Sequence, residues 1–131
     1  MSYTFETTVP GTMDSVRAKV EAALAVEGFG ILTEIDVAAT FKAKLDVDRD
    51  PYVILGACNP SYAHDAIGAD ANMGALLPCN VVLRQGAGDD NVEVVFMDPA
   101  AVLGLVDVPG VDTIAQEVKA KLESVASSLT G

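Results

Sequence analysis

Residues 2–9 alternate in polarity, with Tyr3, Phe5, Thr7 and Val9 on one face and Thr4, Glu6 and Thr8 on the other. That period of two predicts a half-buried strand. Pro10-Gly11 marks a turn, and Thr12 is placed to cap a helix. Met13, Val16, Val20 and Leu24 then recur at spacings of three and four, the apolar stripe of an amphipathic helix, with Gly28 as its C′ residue. Alternation returns over residues 29–37. Ile31, Thr33, Ile35 and Val37 fall on one face, and Leu32, Glu34 and Asp36 on the other. Residues 38–46 read as a short helical piece, with Phe41 and Leu45 four apart. The run Tyr-Val-Ile-Leu-Gly-Ala-Cys at 52–58 is apolar almost throughout, which predicts a buried strand.

Asn59-Pro60 opens a helix expected to reach about Ala69, with Asn as N-cap and Pro at N1. Residues 71–76 connect it to a strand over 77–85. A hairpin loop at 86–91 leads to a strand over 92–97. Asp98-Pro99 repeats the cap-and-Pro signal before a short helical turn. Val111, Ile114, Ala115, Val118, Leu122, Val125 and Leu129 give the last helix the clearest period, with Thr113 or Asp112 as its cap. The order β-α-β-(short α)-β-α-β-β-(turn)-α predicts an α+β fold, an antiparallel-rich five-stranded sheet with helices largely on one face. Residues 1–131 are expected to form one domain, since ~100–200 residues per domain is usual.

Composition narrows the possibilities by exclusion. Half the residues are apolar, so the chain has the means to bury a core. Asp and Glu outnumber Lys and Arg 19 to 8, a formal charge of -11. Nucleic-acid binding rests on neutralising phosphates with Lys and Arg, and docking on anionic lipid has the same requirement, so both partners are disfavoured. The N-terminal Met1-Ser2-Tyr3-Thr4-Phe5-Glu6 has neither a basic nor an apolar signal-peptide region, and no apolar run approaches ~18 residues. A reducing cytoplasm with free thiols is the expectation.

The two cysteines carry the most chemistry. Cys58 ends the third strand and Cys79 opens the fourth, each followed by Asn. If those strands are antiparallel neighbours, the two thiols meet at one end of the sheet. Cys58 also precedes a helix N-terminus, where unpaired N–H groups lower a thiol pKa. This predicts a reactive thiolate or soft-metal ligand at Cys58, and a metal or redox role for the pair. The alternative is two small buried hydrophobes with no chemistry. His64 lies about one and a half turns into the following helix. A Cys58/Cys79/His64 metal site is one arrangement; a solvated His64 beside Asp65 is the other.

The remaining constellations are weaker. No Gly-rich phosphate loop and no Ser/His/Asp set is present. Glu34 and Asp36 form a carboxylate pair on one strand face, with a solvated face as the expected explanation. Asp46, Asp48 and Asp50 resemble the start of a calcium loop without its Gly and terminal Glu. Arg84 is expected to face solvent or a partner. No reaction follows from these residues, so an enzymatic activity is left open.

Five segments resemble the DUF302 family of uncharacterised proteins: Glu27 to Asp36, Phe41-Lys42 to Leu45, Leu55 to Pro60, Leu76 to Val82, and Met97-Asp98-Pro99. The Cys-Asn-Pro and Leu-Pro-Cys-Asn-Val segments carry the resemblance most specifically. It implies a β-α-β(4)-α sheet with two long helices on one face, similar to the TATA-binding-protein repeat, and a homodimer. It implies no activity. Three functions follow as expectations. The first is a binding protein using the Cys58/Cys79 pair. The second is a small-ligand module with a pocket near Phe41, Tyr52, Tyr62 and Met73. The third is an interaction protein that dimerises through its exposed sheet face.

Overall fold

The computed structural model describes residues 2–130; Met1, the first residue of the N-terminal segment tested for a signal peptide, lies outside the described residues. The elements are β1 (Thr4–Pro10), α1 (Met13–Val26), β2 (Gly30–Asp36), α2 (Val37–Leu45), β3 (Tyr52–Cys58) and α3 (Pro60–Ala69). A 3-10 turn (Ala71–Leu76) comes next, then β4 (Cys79–Arg84), β5 (Asn91–Met97), α4 (Pro99–Leu103) and α5 (Val111–Thr130). The sheet order is β1-β5-β4-β3-β2, and every neighbouring pair is antiparallel. The fold is α+β, β-α-β(4)-α, with the two long helices on one face and the short helices as insertions.

The covered face follows from strand parity. Val9, Val92, Val94, Phe96, Val81, Leu83, Leu55 and Ala57 point to one side and are buried against Val16, Val20 and Leu24 of α1 and Val118, Leu122 and Val125 of α5. Phe5 stacks on Phe96 across the β1–β5 pair, with ring centroids 5.2 Å apart. A second cluster joins Ala66 of α3, Met73, Leu103 of α4, and Val111 and Ala115 of α5. It ties the short helices to the start of α5.

The helix ends explain the boundaries. Thr12 Oγ1 accepts from Ser15 N, and Ser15 Oγ accepts from Thr12 N, a reciprocal cap on α1. At its far end Gly28 takes φ +86°. There Gly28 N donates to Ala25 O and Phe29 N to Leu24 O, the paired bonds of a Schellman stop. Asp98 caps α4 through Ala100 N and Ala101 N, and its other oxygen lies 3.1 Å from Lys119 Nζ of α5.

Three local expectations change. The register of β2 on β3 shifts between Ile31 and Thr33, a bulge at Leu32. The extra residue reverses parity, so Ile31 and Glu34 share the helix-covered face instead of opposing each other. Glu34 is exposed, as expected, but it is paired: Arg17 Nε of α1 donates to its Oε1 at 2.6 Å. Asp36 accepts from Ala39 N as the N-cap of α2. The fourth strand starts at Cys79, two residues later than expected, after a cis Leu77–Pro78 bond. The last helix begins at Val111, so Asp112 and Thr113 lie within its first turn instead of capping it. Among the described residues no helix is long and apolar enough to cross a membrane.

Candidate functional site

The β3–β4 register pairs Ala57 with Cys79, and Cys58 is the next residue along β3. The sheet thus brings both cysteines to one end. Gly56, two residues before Cys58, keeps this end tight. A Cβ there would overlap Thr33 Oγ1 and approach Pro78 Cγ to 2.8 Å. Only glycine lets β2, β3 and the Pro78 ring meet so closely.

Cys58 and Cys79 both line one apolar cavity of about 30 Å³. Tyr62 and Ala66 of α3 form one wall, and Ile114 and Val118 of α5 another. This volume suits a single ion or water-sized body, far below the ~300–1,000 Å³ of organic-ligand pockets. Both cysteines are free thiols.

The electrostatics run opposite to the helix-dipole expectation. Burial pushes the Cys58 thiol above its ordinary value. Cys79, only 7% exposed, is pushed up to about 11, first by burial and then by the nearby Cys58. The α3 N-terminus is a weak anion donor here because Pro60 contributes no N–H. The Asn59 side chain makes no capping bond; its Nδ2 donates instead to Glu27 O at 3.4 Å. Desolvation of the charged form therefore prevails, and both thiols rest protonated near neutral pH.

His64 stands apart from the pair. Its side chain is 90% exposed on α3, with Nδ1 3.8 Å from Asp65, and it does not line the cavity. Among the described residues no three His, Cys, Asp or Glu side chains gather as a metal set. The aromatic residues expected around one pocket are divided. Tyr62 borders the cysteine cavity, Phe41 and Tyr52 border a separate depression, and Met73 is buried in the second core cluster. The Asp46-Asp48 pair holds Lys42 Nζ at 2.8 and 3.2 Å. Arg84 lies on the uncovered sheet face, 3.6 Å from Glu6.

Two features were not anticipated from the sequence. Ile114 and Val118 were expected as core residues but not as the wall of a cysteine cavity. The Arg17–Glu34 contact depends on the bulge, which has no residue-type signal.

The profile of the family described as "Domain of unknown function DUF302" matches residues 5–129. The fold is similar to the crystal structure of an uncharacterized conserved DUF302 protein from Bacillus stearothermophilus, at 26% identity and a TM-score of 0.87. That match covers 97% of this chain and 98% of the other. No curated protein matches the chain. With the profile spanning nearly every element of the sheet and both long helices, the chain belongs to the DUF302 family.

Proposed function

We propose that this protein is a non-enzymatic binding protein whose site is the Cys58–Cys79 thiol pair, and that its ligand is a soft metal ion. One observation carries the reading: the two cysteines line a single small apolar cavity. Two sulfur donors, with no third ligand beside them among the described residues, suit a soft, low-coordinate ion such as copper(I) better than zinc, which takes four ligands in structural sites. Because both thiols rest protonated, binding must release protons and strengthen as pH rises. Free thiols also accord with a reducing cytoplasm. The test is an anaerobic copper(I) titration against a competing chelator. The wild type is expected to bind one equivalent, more tightly at pH 8 than at pH 6. C58S and C79S are expected to lose it, and H64A to retain it. Absence of binding in the wild type, or its retention in the double serine variant, would sink the reading.

The same pair has a redox alternative. Two thiols lose two protons and two electrons to form one S–S bond, while an oxidised glutathione is reduced to two thiols. Loss of two titratable thiols on incubation with oxidised glutathione, without intermolecular cross-links, would favour that use.

A second reading rests on the uncovered sheet face. Register places Ile35, Ile54, Val82 and Val95 in one row across four strands, with Ile35 50% exposed. An apolar row on an open face favours pairing with a second copy of the chain. Light scattering at micromolar concentration tests it, and a monomer there counts against it.

A further inference from the structure

The edge of the uncovered face holds a feature that the thiol reading does not use. Between α2 and the ends of β2 and β3 lies a depression of about 460 Å³, within the range of small-molecule sites. Ile35, Val37, Phe41, Tyr52 and Ile54 supply its apolar and aromatic wall, and Arg49 supplies its one charged group. Arg49 differs from the other two arginines, Arg17 and Arg84, which both pair with carboxylates. It sits between Asp48 and Asp50 in the sequence, yet among the described residues no carboxylate lies within 4.0 Å of its guanidinium. Asp48 is held by Lys42 instead. The guanidinium lies over the Phe41 ring, 5.5 Å from its centroid, which keeps the charge at the apolar wall.

In a chain with 19 acidic residues, this depression is lined by an arginine and, among the described residues, by no carboxylate, although Asp48 and Asp50 flank Arg49 in the sequence. We propose that this depression binds an amphipathic monocarboxylate, its hydrocarbon body against Phe41, Tyr52 and Ile54 and its carboxylate on Arg49. A planar guanidinium pairs with carboxylate through two parallel hydrogen bonds, which gives the head group direction as well as charge. The apolar row from Ile54 to Val82 and Val95 extends the wall along which an alkyl chain can lie.

The net charge makes the test discriminating, because the field of the whole molecule favours a cationic amphiphile over an anionic one. Octanoate, octanol and octylamine are titrated into nitrogen-15-labelled protein, and amide shifts are followed by NMR. Octanoate is expected to bind most tightly, with saturable shifts at Ile35, Phe41, Arg49, Tyr52 and Ile54. Arg49 is exposed, so R49Q should fold normally. It is expected to weaken octanoate about tenfold while leaving octanol unchanged. Four results would overturn the proposal: octylamine binding as tightly as octanoate, equal octanoate binding by R49Q, shifts confined to the cysteine cavity, or exclusion of octanoate wherever light scattering reports a dimer. Only shifts confined to the cysteine cavity would touch the thiol site, and the copper titration tests that site separately.

Discussion

Cys79 shows how one residue's chemistry is set by partners distant in sequence. Its place at the start of β4 puts it beside Ala57, but Ile114 and Val118 of α5 and Ala66 of α3 close the cavity around it. Burial among them raises the thiol from an ordinary value of 9.0 to about 11. The raised value has a consequence for stability. Below pH 9 the thiol is protonated in both folded and unfolded chains, and its contribution is whole. Between pH 9 and 11 the unfolded chain ionises first, so the contribution is lost as pH rises towards the folded value. A shift of this size corresponds to about 2–3 kcal/mol of stability lost across that window. Urea unfolding under reductant at pH 7, 9 and 10.5 is the measurement. The wild type should lose stability relative to C79A over the alkaline interval. Parallel pH profiles for the two proteins would show that Cys79 is not held protonated by its site.

At the scale of elements, the fold was legible wherever one segment decided its own fate. The apolar run of β3 is bounded by Pro51 and Asn59, and the strand keeps those limits. The stripe of α5 buries Val111, Ala115, Val118, Leu122 and Val125, all expected from the 3.6-residue period. Antiparallel neighbours made the meeting of Cys58 and Cys79 legible as well, since it needs only the strand order. The bulge at Leu32 was not legible. Ile31, Leu32 and Thr33 are all good strand formers, so an inserted residue leaves no mark on the pattern. The thiol pKa directions were illegible for a related reason: a helix N-terminus is a local signal, whereas desolvation depends on how α3, α4 and α5 pack together over this end of the sheet. Asp98 joins both kinds of information. As N-cap it is local, and as the partner of Lys119 it docks α4 onto α5. D98A removes both roles and should cost about 1–2 kcal/mol. D98N keeps an oxygen for the amides and loses only a partly exposed ion pair, a cost within about 1 kcal/mol. Thermal unfolding should rank wild type, D98N and D98A in that order. Equal losses in the two variants would show that the ion pair with Lys119, not the cap, secures the element.

On the scale of the whole molecule, charge is the property with the widest reach. Among the described residues, four of the eight basic side chains pair with carboxylates: Arg17 with Glu21 and Glu34, Lys42 with Asp46 and Asp48, Arg84 with Glu6, and Lys119 with Asp98. Apart from Lys119–Asp98, whose carboxylate is buried, these pairs are exposed or half-exposed, and such pairs contribute little, about 0–1 kcal/mol each. The 11 excess negative charges repel one another over a small surface, and folding concentrates them. Salt screens both effects over a distance of ~10 Å at 0.1 M ionic strength. The repulsion is the larger sum, because each excess charge acts on all the others while each pair acts only within itself. Stability should therefore rise with salt. Urea unfolding at pH 7 in about 0.02 M and about 0.5 M sodium chloride, conditions that span the screening range, should move the midpoint upward. Sodium chloride separates this effect from that of sulfate, which also strengthens apolar burial. The same screening should weaken octylamine binding more than octanoate binding, because the amine is drawn by the whole surface and the carboxylate by Arg49 alone. A midpoint that falls with added salt would mean that the Arg17 and Lys42 networks outweigh the net repulsion, and that the acidic surface is held by pairing instead of strained by excess.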